Sequence, residues 1–186
     1  FDLAVHDLIK KYATEHQRII FNGNGYSDEW VAEAEKRGLP NIKSMVEAIP
    51  QYVAPENVKA FEKFGVFTKA ELESRVEIEY ETYSKTINIE ARAMIDIAGK
   101  QIIPAVIKYT TVLANSLTAV KTACADADVS VQAELLTETS DLLSDAKTAL
   151  AKLTDVTDKA GEMEEGAVQA TYYRDEVKAA MDELRA

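Results

Sequence analysis

A disulfide scaffold is excluded at once, because the 186 residues contain a single cysteine, Cys124, which has no internal partner. The two histidines, His6 and His16, lie outside any Glu-x-x-His or His-x-x-x-His spacing, so imidazoles give no frame for a metal site. Seven glycines and four prolines are too few for collagen-like, linker-like or low-complexity chains. Positive charge is also short. Against 32 acidic side chains stand 21 Lys and Arg, a net charge of -11, which repels phosphate backbones and anionic lipid surfaces. Neither nucleic acid nor membrane is therefore expected as a partner. No unbroken run of about 18 apolar residues is found, so no membrane span is expected. No charged-then-apolar leader precedes the first helical pattern, and the expected compartment is the cytoplasm. A helical pattern is already running at Phe1, where no initiator Met stands, and the chain is expected to be a piece of something longer.

What remains is a charged, apolar-rich sequence suited to long helices. Val5, Leu8, Ile9, Tyr12 and His16 recur at helical spacing and predict an amphipathic first helix. Arg18-Ile19-Ile20-Phe21 is β-branched or aromatic and abuts Asn22-Gly23-Asn24-Gly25, which reads as a strand and turn over 18–26. No second strand is evident to pair with it. Ser27 is placed to cap a helix with Trp30, Val31 and Ala34 on its buried side, stopped by Gly38 and Pro40. Short helices follow at Ser44 and Pro55.

The texture changes at Thr68. Thr68-Lys69-Ala70-Glu71 has the form of a capping box, and apolar residues then recur at three- and four-residue steps from Leu72 to Val120. An unbroken helix of that length would span roughly 80 Å at ~1.5 Å per residue, with a kink expected near Lys100-Gln101 from Pro104. Asp126, Asp128 and Ser130 form a polar break before a second stripe running from Leu135 to Val156. Gly161 and Gly166 mark the next reversal, and the last stripe is heptad-like: Met163, Ala167, Ala170, Arg174, Val177, Met181 and Leu184. The expected fold is all-α. A small helical subdomain with its strand and turn covers 1–67, and a long antiparallel three-helix bundle covers 68–186.

Few residues look equipped for chemistry. The Asn22–Ser27 turn before a helix has neither a Walker lysine nor Gly-x-Gly-x-x-Gly spacing, and reads as structural. His16 falls on the apolar stripe and Cys124 near a helix end, and both read as core residues. Glu71, Glu73, Glu77, Glu79 and Glu81 resemble a carboxylate cluster, but the Glu-x-x-His pairs of bundle metal sites are missing and a solvated face is expected. Arg92 and Asp96 are spaced for a helix ion pair. Arg174 is expected to lay its stem along the third seam. No residue is assigned to catalysis, to cofactor binding or to a metal.

Arg18-Ile-Ile-Phe-Asn-Gly-Asn-Gly-Tyr-Ser-Asp-Glu-Trp30 and Glu35-Lys-Arg-Gly-Leu-Pro-Asn41 resemble the C-terminal region of type III glutamine synthetases. So do Lys85-Thr-Ile-Asn-Ile-Glu-Ala91, Gln101-Ile-Ile-Pro-Ala105 and Tyr172-Tyr-Arg-Asp-Glu-Val177. The resemblance implies a full-length enzyme that joins ammonia to glutamate with ATP and Mg, assembled as a double-ringed oligomer, whose catalytic signatures lie upstream. The implied role of this segment is a scaffold or oligomer contact, with the catalytic domain of the same protein and neighbouring subunits as partners. Two other readings stand beside it: an enzyme in its own right, and a helical adaptor docking an unrelated protein through Ile87–Ile107.

Overall fold

The computed structural model describes residues 1–186. Nine α-helices are linked by short 3-10 and π turns, and no strand forms. Contacts divide the chain into two compact units, Phe1–Glu47 and Ala48–Ala186. The change of texture at Thr68 marks where the long helix begins, whereas the compact units divide earlier. The reason is that the 3-10 turn Ile49–Val53 and the helix after it pack with the long helix, Ile49 and Leu72 both losing all exposure.

In the first unit, α1 (Asp2–Glu15) buries none of its residues. Ser27 Oγ accepts the Trp30 backbone N–H and starts α2 (Asp28–Lys36). Gly38, at φ +74°, closes it: the Gly38 and Leu39 amides donate back to Glu35 and Ala34 at 2.9 Å, a left-handed C-terminal cap that favours glycine. A short α3 (Met45–Ala48) follows, its last residue being the first of the second unit.

The strand expected at 18–21 does not form. Gln17–Ile19 makes a 3-10 turn instead. With no second strand, these carbonyls need other donors. Arg37 supplies them: its guanidinium donates to the backbone oxygens of Gln17, Arg18 and Ile20 at 3.1, 3.2 and 2.6 Å.

In the second unit, α4 (Pro55–Lys63) leads to the capping box, in which Thr68 and Glu71 exchange both bonds and begin α5 (Lys69–Ile97). The long helix is not broken at Pro104. A π turn, Ala98–Ile102, joins α5 to α6 (Ile103–Ala123), and the amide of Ile103 reaches the carbonyl of Ala98. The widened turn sits just before the proline, where the ring would otherwise crowd the preceding carbonyls. Asp128 Oδ1 accepts the Ser130 amide at 2.9 Å and opens α7 (Ser130–Gly161). The chain then returns through α8 (Ala167–Tyr172), a second π turn Tyr173–Val177, and α9 (Lys178–Arg185).

Partners fall along one helix as they rise along the other. Arg92 meets Asp158 at 2.7 Å, while a Cβ at Gly99 would lie 3.7 Å from Leu150, so α7 runs back along α5–α6. Lys152 reaches Glu183 at 2.5 Å, and Gln169 donates to the carbonyl of Ala160 at 3.0 Å, so the third stretch runs back along α7. The core joins Ile87 and Ala91 from α5, Leu153, Val156 and Ala160 from α7, and Tyr173, Val177, Ala180 and Met181 from the third stretch.

Leu153 has no exposed surface. Leu153→Ala is expected to cost about 2–5 kcal/mol, read by urea unfolding followed by circular dichroism. The same truncation at Ile89, 68% exposed, should cost well under 1 kcal/mol. Equal losses at the two sites would contradict this placement of the core.

Candidate interaction surface

The residues singled out in the sequence lie at separate places in the structure. In the Asn22–Ser27 turn, Asn24 Oδ1 accepts the Tyr26 amide at 3.0 Å and Ser27 is occupied as a cap. Phe21 and Trp30 pack at 4.4 Å between ring centroids. A Cβ on Gly23 would come within 2.6 Å of the Phe21 ring, so the glycine serves that close approach. His6 is exposed, 3.3 Å from Asp7. His16, expected in the core, is exposed beside Tyr12 at the end of α1. Cys124, also expected as a core residue, is exposed at the end of α6.

The glutamates of α5 do not converge. Glu71 is used in the cap, with its carboxyl held below the ordinary range first by the Thr68 amide bond. Glu73 pairs with Lys69 at 3.4 Å and Glu81 with Lys85. Arg75 leaves the glutamates and lies 4.3 Å over the Phe67 ring. Nowhere do three or more His, Cys, Asp or Glu side chains gather as a metal would require, so these residues do not fit as the holder of the metal that the resemblance implies.

Two pairings differ from the sequence reading. Arg92 binds Asp158 across helices, and Asp96 takes Lys100 instead. Arg174 is partly buried, its side chain 28% exposed. Its Nε is 2.6 Å from Asp175, while Tyr173, 2% exposed, fills the core position. Tyr173 stands three residues after Ala170 and four before Val177, so it shares their buried stripe at ordinary helical spacing. Burial then raises the Tyr173 hydroxyl above its usual pKa.

Sequence reasoning missed Gln169 and Arg37. Gln169 is buried, and its Nε2 satisfies the Ala160 and Met163 carbonyls where α7 ends. Arg37 adds a 2.6 Å bond to Glu33, and the i to i+4 spacing of the pair was the only signal available.

The distinctive surface is apolar. An 18-residue window of the continuous helix Lys69–Ala123 reaches a mean hydropathy of 1.2 and is almost wholly uncovered. By length and composition this helix is long and apolar enough to cross a membrane, against the expectation of none. Its outer half is poor in charge because it carries two stripes. Val106, Thr110, Leu113, Leu117 and Val120 turn inward, while Ile102, Tyr109 and Val112 are 54%, 47% and 62% exposed. At the end of α9 a cavity of about 580 Å³ is lined by Met94, Ile97, Ile102, Ile103, Met181 and Leu184 among others.

The profile of the glutamine synthetase C-terminal domain family matches residues 4–121. A glutamine synthetase of Butyrivibrio fibrisolvens is 37% identical over 97% of this chain and 26% of its own length. A type-3 glutamine synthetase of Dictyostelium discoideum is 36% identical over 63% of this chain and 16% of its own length. A glutamine synthetase of Bacteroides fragilis (strain YCH46) is 29% identical over 99% and 26%. The chain thus spans about a quarter or less of the curated relatives it matches.

Arg37 yields a prediction for the first unit. The bond from Arg37 holds the Glu33 carboxyl below its ordinary 4.5, so the pair's contribution is present above pH 4.5 and lost as pH falls through the lowered value. The Arg37 Nε–H resonance should therefore stay fixed down to about pH 4.5 and move only below it. Arg37→Lys, which loses the fork geometry, should speed exchange of the Ile20 amide at neutral pH. An unchanged exchange rate would refute the clamp.

Proposed function

Because the chain belongs to the glutamine synthetase C-terminal domain family, we propose that it is the C-terminal helical module of a type III glutamine synthetase and serves as a structural or oligomer contact. Its partners are the catalytic domain of the same protein and neighbouring subunits. The full-length enzyme would join ammonia to glutamate with ATP and Mg. That chemistry is assigned to residues outside this segment, and no residue here is given a part in it.

The observation that best supports this role is the uncovered apolar stripe of α6, where Ile102, Tyr109 and Val112 stand about half exposed or more. Contiguous exposed apolar surface of this kind marks sites of protein contact. The other face of α6, with Val106, Leu113 and Leu117, packs on α7, so the stripe is carried on a rigid support, as a contact surface requires.

The test is deletion. A full-length enzyme cut just before this segment is expected to lose its assembled mass in light scattering, while the segment alone turns over no glutamate, ammonia and ATP in the presence of Mg²⁺. Turnover by the segment, or normal assembly and activity without it, would overturn the proposal.

A further inference from the structure

The groove that α9 fills does not stop where α9 stops. Along α7, Val131, Leu135, Leu142, Ala149, Leu153, Val156 and Ala160 share one stripe. From Ala149 onward the stripe is covered, with exposures of 8%, 0%, 9% and 0%. Before it, Val131, Leu135 and Leu142 are 63%, 38% and 60% exposed.

The exposed stripe of α6 lies on the same side. Leu184, near the end of α9, lines the cavity that Ile102 and Ile103 border, and also the one that Leu142 borders. On each helix the open stripe is displaced in the same rotational sense from the residues of the shared seam. On antiparallel helices two such stripes come out on one face. The α6–α7 hairpin thus presents a single apolar face about 30 Å long, at ~1.5 Å per residue.

Charge identifies what covers it. Residues 98–123 carry three lysines and no acid, whereas residues 130–148 carry Glu134, Glu138, Asp141 and Asp145 against one lysine. Within the chain, Lys100 is taken by Asp96, and Lys121 by the carbonyls of Ala125 and Ala127. Lys108 and the four acids of α7 are exposed.

We infer that this face pairs with the same face of a second copy of the chain, about a two-fold axis parallel to the helices. This deepens the oligomer-contact reading and rests on it. Under that axis each α6 lies over the partner's α7, and the interface is self-complementary. Gly99 stands opposite Leu150, so Lys108 stands at the height of Asp141 and meets the partner subunit's acids around that position. A two-fold axis across the helices would stack α7 on α7, facing four acids with four acids, and like charges in contact disfavour that alternative. The chosen axis leaves both hairpin tips at one end, bringing the two copies of Cys124 together.

The 186-residue chain should sediment at twice 20.5 kDa at micromolar concentration. Val112→Glu or Leu142→Glu should leave monomers of unchanged helical circular dichroism. Lys108→Glu should weaken the pair about tenfold, and adding Asp141→Lys should restore it. A spin label on Cys124, the natural and exposed thiol, should report a separation within about 25 Å for tips on adjacent helices. The crossed alternative puts the labels about 35 Å or more apart. A monomeric chain, a dimer indifferent to both glutamate substitutions, or the longer label distance would each overturn the pairing. A monomeric segment whose deletion still dismantles the full-length enzyme would overturn the pairing alone. Deletion without effect on assembly and activity would overturn the module reading itself.

Discussion

A long helix cannot hide more of its surface than its neighbours reach, and that constraint governs the second unit of this chain. The continuous helix from Lys69 to Ala123 extends beyond the third stretch, which ends at Arg185 beside Met94, Ile97 and Ile102. Where three helices overlap, Ala91, Leu153, Ala160, Val177 and Ala180 have no exposure, with Met181 at 4%. Where only α6 and α7 remain, each helix has one seam to bury and a second apolar stripe left over. Two helices side by side bury one face each, so the leftover surface follows from the architecture itself.

The π turn Ala98–Ile102 is part of the same accommodation: it lets the long helix pass Pro104 without breaking, which keeps α6 in line with α7. In the third stretch Tyr173, at helical spacing from Ala170 and Val177, meets the core. A guanidinium head turned into that seam would be opposed by desolvation, and Arg174 instead pairs with Asp175.

What could be read from the sequence was what local chemistry decides. The Thr68–Glu71 box, the Ser27 cap, the Gly38 stop and the Asp128 break each depend on residues within a few positions of one another, and each was legible. The β-branched run Arg18–Phe21 was misleading because its conformation is settled by Arg37, some twenty residues away. Arg92 was likewise assigned to its near neighbour Asp96, when the bond to Asp158 spans two helices. The interaction surface was the least legible. Ile102, Tyr109 and Val112 recur at the same three- and four-residue steps as Leu113, Leu117 and Val120, so one sequence pattern merges a buried stripe with an open one. Only the position of α7 separates them.

That separation bears on how an acidic chain can carry an apolar helix. The net charge of -11 is concentrated after Ala123, and it sits beside the apolar face of the hairpin, not across it. Glu134, Glu138, Asp141 and Asp145 edge the stripe of Val131, Leu135 and Leu142, while the facing helix offers lysines alone. A rim of this kind deters indiscriminate association, since most orientations bring acids against acids. It leaves favourable the orientation in which the lysine-bearing helix covers the acidic one. The apolar stripe provides the area to be buried and the charged rim decides which way round it is buried, and neither feature alone would specify a partner.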